Sequence, residues 1–184
     1  MSPEAPAPDD VPGQPEPDTK DWTWTITRRC AECGTDVSAM SPQEIAADLR
    51  ASLPRWAGVL RRDHVAVRSE PTVWSPLEYA AHVRDVFKVM HYRLDLMYME
   101  DEPTFPDWDQ DATALEDDYA HQSPQVVATQ LAAAGRGLAD AFDAVLNRDL
   151  HRRGLRGNGA EFTIQTLARY AWHDVAHHMH DVGA

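Results

Sequence analysis

The chain has 184 residues, of which 43% are hydrophobic and 26% are charged, as is ordinary for a globular protein. Its 30 acidic residues outnumber 17 basic ones, and a formal net charge of −13 repels the phosphate backbone of nucleic acids. No apolar run approaches the roughly 20 residues that cross a membrane, and the acidic N-terminus does not resemble a signal peptide. We therefore expect a cytoplasmic protein that binds neither nucleic acid nor a membrane.

The chain divides into a short tail and one domain. Residues 1–19 are rich in proline and acid and contain almost nothing to bury, which predicts a disordered tail. Residues 20–184 are enough for a single domain with a real hydrophobic core. Within this domain, residues 20–40 are expected to be ordered but irregular.

Serine–proline pairs mark three helix starts. Ser41 and Ser75 are each followed by proline and, three positions after the serine, by glutamate. This pattern is a capping box with proline at the first helical position. Ser123 is followed by proline without the glutamate, and a fourth helical segment spans residues 163–182, ended by Gly183. Apolar residues recur at helical spacing in all four segments.

Four amphipathic helices with almost no strand signals predict an all-α protein, a four-helix bundle with an irregular N-terminal extension. The connections are uneven, because residues 101–122 form a long loop between the second and third helices. Loops of this length are more often functional than idle.

Histidines are concentrated in the last helix. His173 and His177 are four residues apart, so their side chains differ by about 40° around the axis and can bind one ion. His180 is too far along the axis to join both, and His178 points elsewhere. A third ligand must come from another helix, and His82, at the edge of the apolar face of the second helix, is the candidate.

The helical wheel leaves two other interpretations open. The apolar stripe of the last helix is centred away from His173 and His177, whereas His178 lies close to it. The pair could therefore belong to a polar outer face, or could satisfy hydrogen bonds within the bundle.

Cys30 and Cys33 form a Cys-x-x-Cys pair in the N-terminal extension. Half of a zinc knuckle needs two further ligands, and neither a second such pair nor a nearby histidine pair supplies them. No strand-then-helix pattern places the cysteines at a thioredoxin-like helix start. We interpret them as reduced thiols, with a redox or metal-binding role as the less favoured alternative.

Two segments resemble the DinB-like superfamily, also called the DinB/YfiT-like metalloenzymes. WSPLEYAAHVRDV, residues 74–86, is similar to the W-S-x-x-E-x-x-x-H start of the family's second helix. YAWHDVAHHMHDV, residues 170–182, is similar to its H-x-x-x-H helix near the C-terminus. The loop FPDWDQDATALEDDY, the WTW segment and the CxxCG segment resemble an actinobacterial subgroup. The resemblance covers about residues 20–184 and implies a four-helix bundle.

The resemblance implies a divalent metal, usually zinc or nickel, held by three histidines. Position by position, these ligands are His82, His173 and His177. Because His177 and His178 are adjacent, the ligand pair on the last helix could instead lie one residue further along. Replacement of one of the ligands by His180 is also left open.

The family includes transferases and isomerases that use low-molecular-weight thiols such as bacillithiol and mycothiol. The resemblance therefore implies a metal-dependent thiol S-transferase with a small-molecule substrate and a mycothiol-type cosubstrate, whose thiol the ion binds as thiolate. The alternatives are a hydrolase that uses metal-bound hydroxide and a non-enzymatic ligand-binding or stress-response bundle. Pairing into a homodimer through a helix face is also left open.

Further side chains are candidates to surround the ion. An acid near a ligand can orient its imidazole, and residues of the long loop can line or cover the pocket. Packing or surface solubility explains each of them at least equally well. The candidates are Asp85, Tyr170, Asp174, Trp108 and Asp109. Asp181 is a further acid on the last helix that could orient a ligand imidazole.

Overall fold

The structure is a computed structural model that describes residues 15–184. These residues form five α-helices: α1 (Pro42–Val59), α2 (Pro76–Met99), α3 (Gln110–Glu116), α4 (Pro124–Asp143) and α5 (Ile164–Asp181). They also form three short strands: β1 (Thr104–Phe105), β2 (Arg153–Arg156) and β3 (Glu161–Thr163). Most of the predicted tail, residues 1–14, lies outside the described part of the chain.

The predicted helix starts are confirmed. Ser41 and Ser75 begin α1 and α2 with both hydrogen bonds of a capping box, and the Ser123 side chain caps α4. Thr163 caps α5, and Gly183 follows its end with a φ of +58°. At each start, a side chain three residues or fewer away accepts a hydrogen bond from a free backbone N–H group of the first turn. The position of each start therefore depends on local sequence alone.

The four long helices α1, α2, α4 and α5 pack as a four-helix bundle, as predicted. Helix α4 lies against α1 and α2, and α5 lies against the same two helices. Helix α4 lies close to α1 and α2 at Gly135, where a Cβ atom would be 2.5 Å from Leu53 Cδ2 and 2.8 Å from Phe87 Cε2. Within residues 15–184, no helix combines the length and the apolar character needed to cross a membrane.

A small sheet joins the connections at the end of α2 and the start of α5. Strand β1 pairs parallel with β2, and β2 pairs antiparallel with β3. A Cβ atom on Gly154 of β2 would be 2.6 Å from Phe105 and 3.0 Å from Met97. The sequence analysis did not predict this sheet, because strands of two to four residues are too short to show an alternating pattern.

The long loop of residues 101–122 is ordered rather than structureless. It contains β1, α3 and a 3-10 turn at Tyr119–His121. Tyr119 is fully buried, and its hydroxyl donates a hydrogen bond to Asp85 of α2 at 2.7 Å. This bond holds the loop against α2.

The N-terminal extension crosses α5. It contains a 3-10 helix at Thr23–Ile26 and otherwise turns. The Trp22 ring lies 4.8 Å from the ring of His177 and 5.6 Å from that of His173. Further towards the N-terminus, the Glu16 N–H donates a hydrogen bond to the Thr72 carbonyl at 3.0 Å. The extension therefore lies on the helix that carries the predicted histidine pair.

Candidate metal centre

His82 lies in the second turn of α2 and is fully buried. Its ring stacks on Trp108 of the long loop, with centroids 5.3 Å apart and planes 4° apart. The Trp74 ring is 5.2 Å away, and the His178 ring of α5 approaches edge-on at 4.8 Å. His82 is thus enclosed by two indoles and faces α5.

Asp174 and His178 bring two further donor atoms to His82. The Nε2 atoms of His82 and His178 each lie 3.4 Å from Asp174 Oδ1. One donor atom from each residue lies within 4.8 Å of the other two. Ligands about 2.05 Å from a tetrahedral zinc are about 3.3 Å from one another, so this spacing suits one divalent ion.

Buried polar atoms in this group lack hydrogen-bond partners. Both ring nitrogens of His82 and Oδ1 of Asp174 are buried without a well-aligned partner among the described residues. Such an atom costs about 1–3 kcal/mol, and native proteins rarely leave one unsatisfied. An ion among His82, Asp174 and His178 would satisfy His82 Nε2 and Asp174 Oδ1 together, so the residues fit a metal.

The protonation states of His82 and Asp174 also suit a metal. Burial lowers the pKa of His82 and favours its neutral imidazole, although Asp174 opposes this. Burial by itself would raise the pKa of Asp174, but its interactions with His82 and His178 outweigh burial and lower it. A neutral imidazole and an ionised carboxylate are the forms that bind divalent ions.

Asp181 orients His178. The Asp181 Oδ2 atom lies 2.9 Å from Nδ1 of His178, and because the carboxylate can only accept, the proton is on Nδ1. Nε2 is then free to face Asp174 and His82. Burial would lower the pKa of His178, but Asp181 and Asp174 outweigh it and raise that pKa. Metal-binding histidines commonly have such a carboxylate on the other ring nitrogen.

A second group of potential metal ligands lies beside the first. It consists of Cys30, Cys33, His173 and His177, whose donor atoms are all within 4.8 Å of one another. Both cysteines are free thiols. Burial is the largest influence on His173 and, with the neighbouring His177, lowers its pKa to about 4.

The structure divides the three histidines that the sequence predicted as one site. His82 groups with His178 and Asp174, whereas His173 and His177 group with the cysteines. Neighbouring residues on a helix point about 100° apart. On α5, His173 and His177 therefore face the N-terminal extension, and the residues that follow them face α2. The residues grouped with His82 are Asp174 and His178, each one position after the predicted pair His173 and His177.

The interpretation of the cysteines also changes. No histidine pair lies near them in the sequence, yet the structure places one in contact with them. Cys33 Sγ lies 3.9 Å from His173 Nε2, a residue 140 positions further along the chain. Separation along the chain hides this neighbour, and no local spacing reveals it.

The other predicted residues have different positions. Trp108 stacks on His82, and Asp109 caps α3 by accepting from the Ala112 N–H. Tyr170 accepts a long hydrogen bond of 3.4 Å from Arg156. Asp85 does not orient His82, because its carboxylate accepts from Arg84, Lys88 and Tyr119 instead. His180 is exposed and belongs to neither group of potential ligands.

A cavity of about 750 Å³ borders the His82 group. Asp174 and His178 contribute to its wall, and the long loop closes one side with Trp108 and Asp109. Residues 15–19 of the predicted tail, together with Lys20, line another side. An ion held by the His82 group would lie at the wall of a chamber large enough for a small-molecule substrate.

Two arginines on the cavity wall were not predicted from the sequence. Arg93 is only 3% exposed, and its guanidinium donates to the Pro106 carbonyl at 3.3 Å. Burial, and then the positive charge of Arg156, lower the pKa of Arg93. Both arginines line the cavity. Arg93 shares a face of α2 with the buried residues Val86 and Met97, and its position at this helical spacing is the signal that could have identified it.

Fold and site together define a four-helix bundle with a candidate metal centre between its second and last helices. A family model of the DinB superfamily matches residues 63–182, so the chain belongs to the DinB superfamily. The matched segment contains His82, Asp174 and His178 but not the cysteines. No curated protein matches the chain significantly.

The fold is similar to that of YfiT from Bacillus subtilis, with a TM-score of 0.64 and 16% sequence identity. The similarity covers 76% of this chain and 81% of YfiT. YfiT is described as a probable metal-dependent hydrolase with an unusual four-helix bundle topology. At this identity the similarity establishes the shared fold.

Proposed function

We propose that the protein is a metal-dependent hydrolase whose divalent ion is held by His82, Asp174 and His178. The observation that carries the proposal is the approach of His82 Nε2 and His178 Nε2 to the same oxygen, Asp174 Oδ1, at 3.4 Å each. The description of YfiT, which has the same fold, adds support.

The donor set favours hydrolysis. Two imidazoles and one carboxylate are the ligands of many catalytic zinc sites, which leave a further position open. A divalent ion in such a site lowers the pKa of bound water and polarises a carbonyl group. Asp174 and His178 line the cavity, so the open side of this group faces it.

Neighbouring side chains have separate roles in this proposal. Trp74 and Trp108 cover the His82 ring and keep bulk water from it. Burial, and then the charge of Asp181, raise the pKa of Tyr79 to about 12, so its hydroxyl stays protonated and can donate a hydrogen bond to a substrate oxygen. Arg93 and Arg156 offer guanidinium groups that suit an anionic group of the substrate.

A thiol S-transferase that uses a mycothiol-type cosubstrate is the second candidate. The size of the cavity, about 750 Å³, favours it, because a chamber of that volume has room for a thiol cofactor as well as a substrate. The carboxylate ligand disfavours it. Asp174 would neutralise part of the charge of the ion, so the ion would attract a thiolate less strongly than one bound by three neutral imidazoles. The use of zinc or nickel, a cytoplasmic location and pairing into a homodimer stay predictions of the sequence.

Metal content and hydrolysis can be measured together in purified, untagged protein. We expect the zinc- or nickel-loaded protein to hydrolyse members of a panel of activated esters and amides, including anionic ones. His82→Ala should reduce this activity by more than about 100-fold, beyond the 10- to 100-fold typical of losing an outer partner of a ligand. The matched control is His91→Ala, on the same helix but in neither group of potential ligands, which should keep the activity.

The two candidates separate by their dependence on a thiol. Turnover that requires added mycothiol would support the transferase and contradict the hydrolase. If the panel is turned over equally by chelated protein and by His82→Ala, both candidates are wrong.

A further inference from the structure

We propose that Cys30, Cys33, His173 and His177 bind a second metal ion, a structural zinc that joins the N-terminal extension to α5. This site is separate from the His82 group and does not depend on the proposed hydrolase activity. Two cysteine sulfurs and two imidazoles are one of the established donor sets of structural zinc sites.

The donor atoms are arranged around a common centre. Cys30 Sγ lies 3.9 Å from His177 Nδ1, and Cys33 Sγ lies 3.9 Å from His173 Nε2. Around a tetrahedral zinc, with sulfur at about 2.3 Å and nitrogen at about 2.05 Å, such pairs are about 3.6 Å apart. The four side chains therefore need only small movements to share one ion.

The two cysteines lie in a tight turn. Gly34 has a φ of +76°, a conformation that glycine adopts without strain, and it follows Cys33 directly. The Gly34 N–H donates a hydrogen bond to the Cys30 carbonyl at 3.0 Å, and the Cys30 N–H donates one to the Thr35 carbonyl at 2.8 Å. These bonds hold Cys30 and Cys33 close together within the N-terminal extension.

The surroundings of His177 also suit a ligand. Its Nδ1 faces Cys30, and its other nitrogen, Nε2, lies 3.8 Å from a carboxylate oxygen of Glu32 and 3.8 Å from one of Asp181. Acidic groups near the outer nitrogen orient metal-bound imidazoles.

His173 and His177 line the same cavity as Asp174 and His178, but four protein ligands would leave an ion here closed to substrate. Four protein donors fill a tetrahedral coordination sphere, and Cys30 is only 1% exposed. Trp22 covers the histidine pair, with its ring 4.8 Å from that of His177. No position is left for substrate, so the ion would contribute to stability.

A zinc here would close a long stretch of chain. Cys33 and His173 are 140 positions apart, and a link between such distant residues removes more conformational freedom from the unfolded chain than a short one does. It would also fix the rotation of α5. Because Asp174 and His178 directly follow the ligands His173 and His177, the same rotation aims them at His82.

Binding of cobalt at this site can be detected by its absorption spectrum, without any substrate. We expect apo protein, reduced with a thiol-free reductant and titrated with Co²⁺, to develop thiolate-to-cobalt charge-transfer absorption in the near ultraviolet. Only a site with cysteine ligands produces this absorption, so the His82 group cannot mimic it. Zinc analysis of the native protein should find about two ions per chain.

Matched variants assign each ion. His82→Ala should keep the charge-transfer absorption and lose about one zinc, whereas Cys33→Ser should lose the absorption or weaken it strongly. Cys33→His keeps four donors, so it should retain the zinc while halving the absorption, which separates loss of a ligand from failure to fold. His180→Ala, exposed and in neither group, should change nothing.

The proposal is overturned if wild-type protein binds cobalt without thiolate absorption, or if Cys33→Ser retains all its zinc. It is also overturned if protein purified without reductant contains a Cys30–Cys33 disulfide and no zinc at that position. A capacity for only one divalent ion of any kind per chain, together with thiolate absorption, would support this site while contradicting the proposed hydrolase centre.

Discussion

The indole of Trp108 lies parallel to the imidazole of His82, with ring centroids 5.3 Å apart and 4° between the planes. The indole N–H donates a hydrogen bond to Thr113 Oγ1 at 2.8 Å, which fixes the ring within the long loop. One residue of a loop thus covers a buried residue of α2. The order of the loop and access to the candidate metal centre are therefore coupled.

Replacing Trp108 by alanine is expected to weaken metal binding at the His82 group. Loss of the indole admits water to a buried imidazole and removes the surface against which that ring is held, so affinity should fall about 10- to 100-fold. Competition with a chromophoric chelator measures the affinity. The metal affinity of Trp108→Phe, which retains a flat ring, should fall much less. Equal losses of affinity in both variants would show that stacking is unimportant.

Asp181→Asn is expected to lower metal affinity because it weakens the hydrogen bond that orients His178. A loss of about 10- to 100-fold is typical of such partners. The matched control is Asp95→Asn, since Asp95 lies 4.0 Å from His91 on α2, a histidine in neither group. Because Asp181 is also near His177, affinity should be measured for the cobalt ion that lacks thiolate absorption. Similar affinities in Asp181→Asn and wild type would contradict the orienting role.

Asp85→Ala is expected to destabilise the fold. The Asp85 carboxylate accepts hydrogen bonds from Arg84, Lys88 and Tyr119, and Arg84 is only 4% exposed. Its removal leaves the Arg84 charge buried without its main partner, a change that costs about 3–5 kcal/mol. Urea unfolding at neutral pH measures the loss. Asp140→Ala, which removes an exposed partner of Arg50, should cost no more than about 1 kcal/mol.

The contribution of Asp85 should also depend on pH. Burial would raise its pKa, but its bonds to Arg84, Lys88 and Tyr119 outweigh this and lower it. A carboxyl with a lowered folded-state pKa stabilises the protein above its unfolded-state pKa of about 3.9, and this stabilisation is lost as the pH falls through the folded-state value. The difference between wild type and Asp85→Ala should therefore shrink in acid. A difference that stays constant down to the acid transition would contradict the ionic role.

Gly135→Ala and Gly58→Ala are expected to change stability in opposite directions. A Cβ atom at position 135 would lie 2.5 Å from Leu53 and 2.8 Å from Phe87, and such overpacking costs about 1–3 kcal/mol. At position 58, in the last turn of α1, nothing lies within 4 Å, so alanine should add up to about 1 kcal/mol through its better helix propensity. Thermal unfolding of both variants measures the contrast. Two stabilising substitutions would show that α4 can move away from α1 and α2.

Local signals in the sequence predicted most of the bundle. The Ser-Pro-x-Glu boxes at Ser41 and Ser75 mark helix starts because their hydrogen bonds join residues three positions apart. His82 was identified as inward-facing for a similar reason, since its direction follows from its position on one helix. Strand β1 was missed because its pairing with β2 joins residues about 50 positions apart, such as Thr104 and Leu155. Strands β2 and β3 pair locally, but they are too short to show an alternating pattern.

The sequence by itself determined the four helices, the inward position of His82 and the supply of ligands on α5, because each depends on hydrogen bonds and periodicity within a few residues. Only the tertiary structure decided how those ligands are shared. The rotation of α5 against its neighbours sends Asp174 and His178 to α2 and leaves His173 and His177 facing Cys30 and Cys33. That rotation is set by packing of α5 against α1, α2 and the N-terminal extension, which are distant from it in the chain, so no local pattern predicts it.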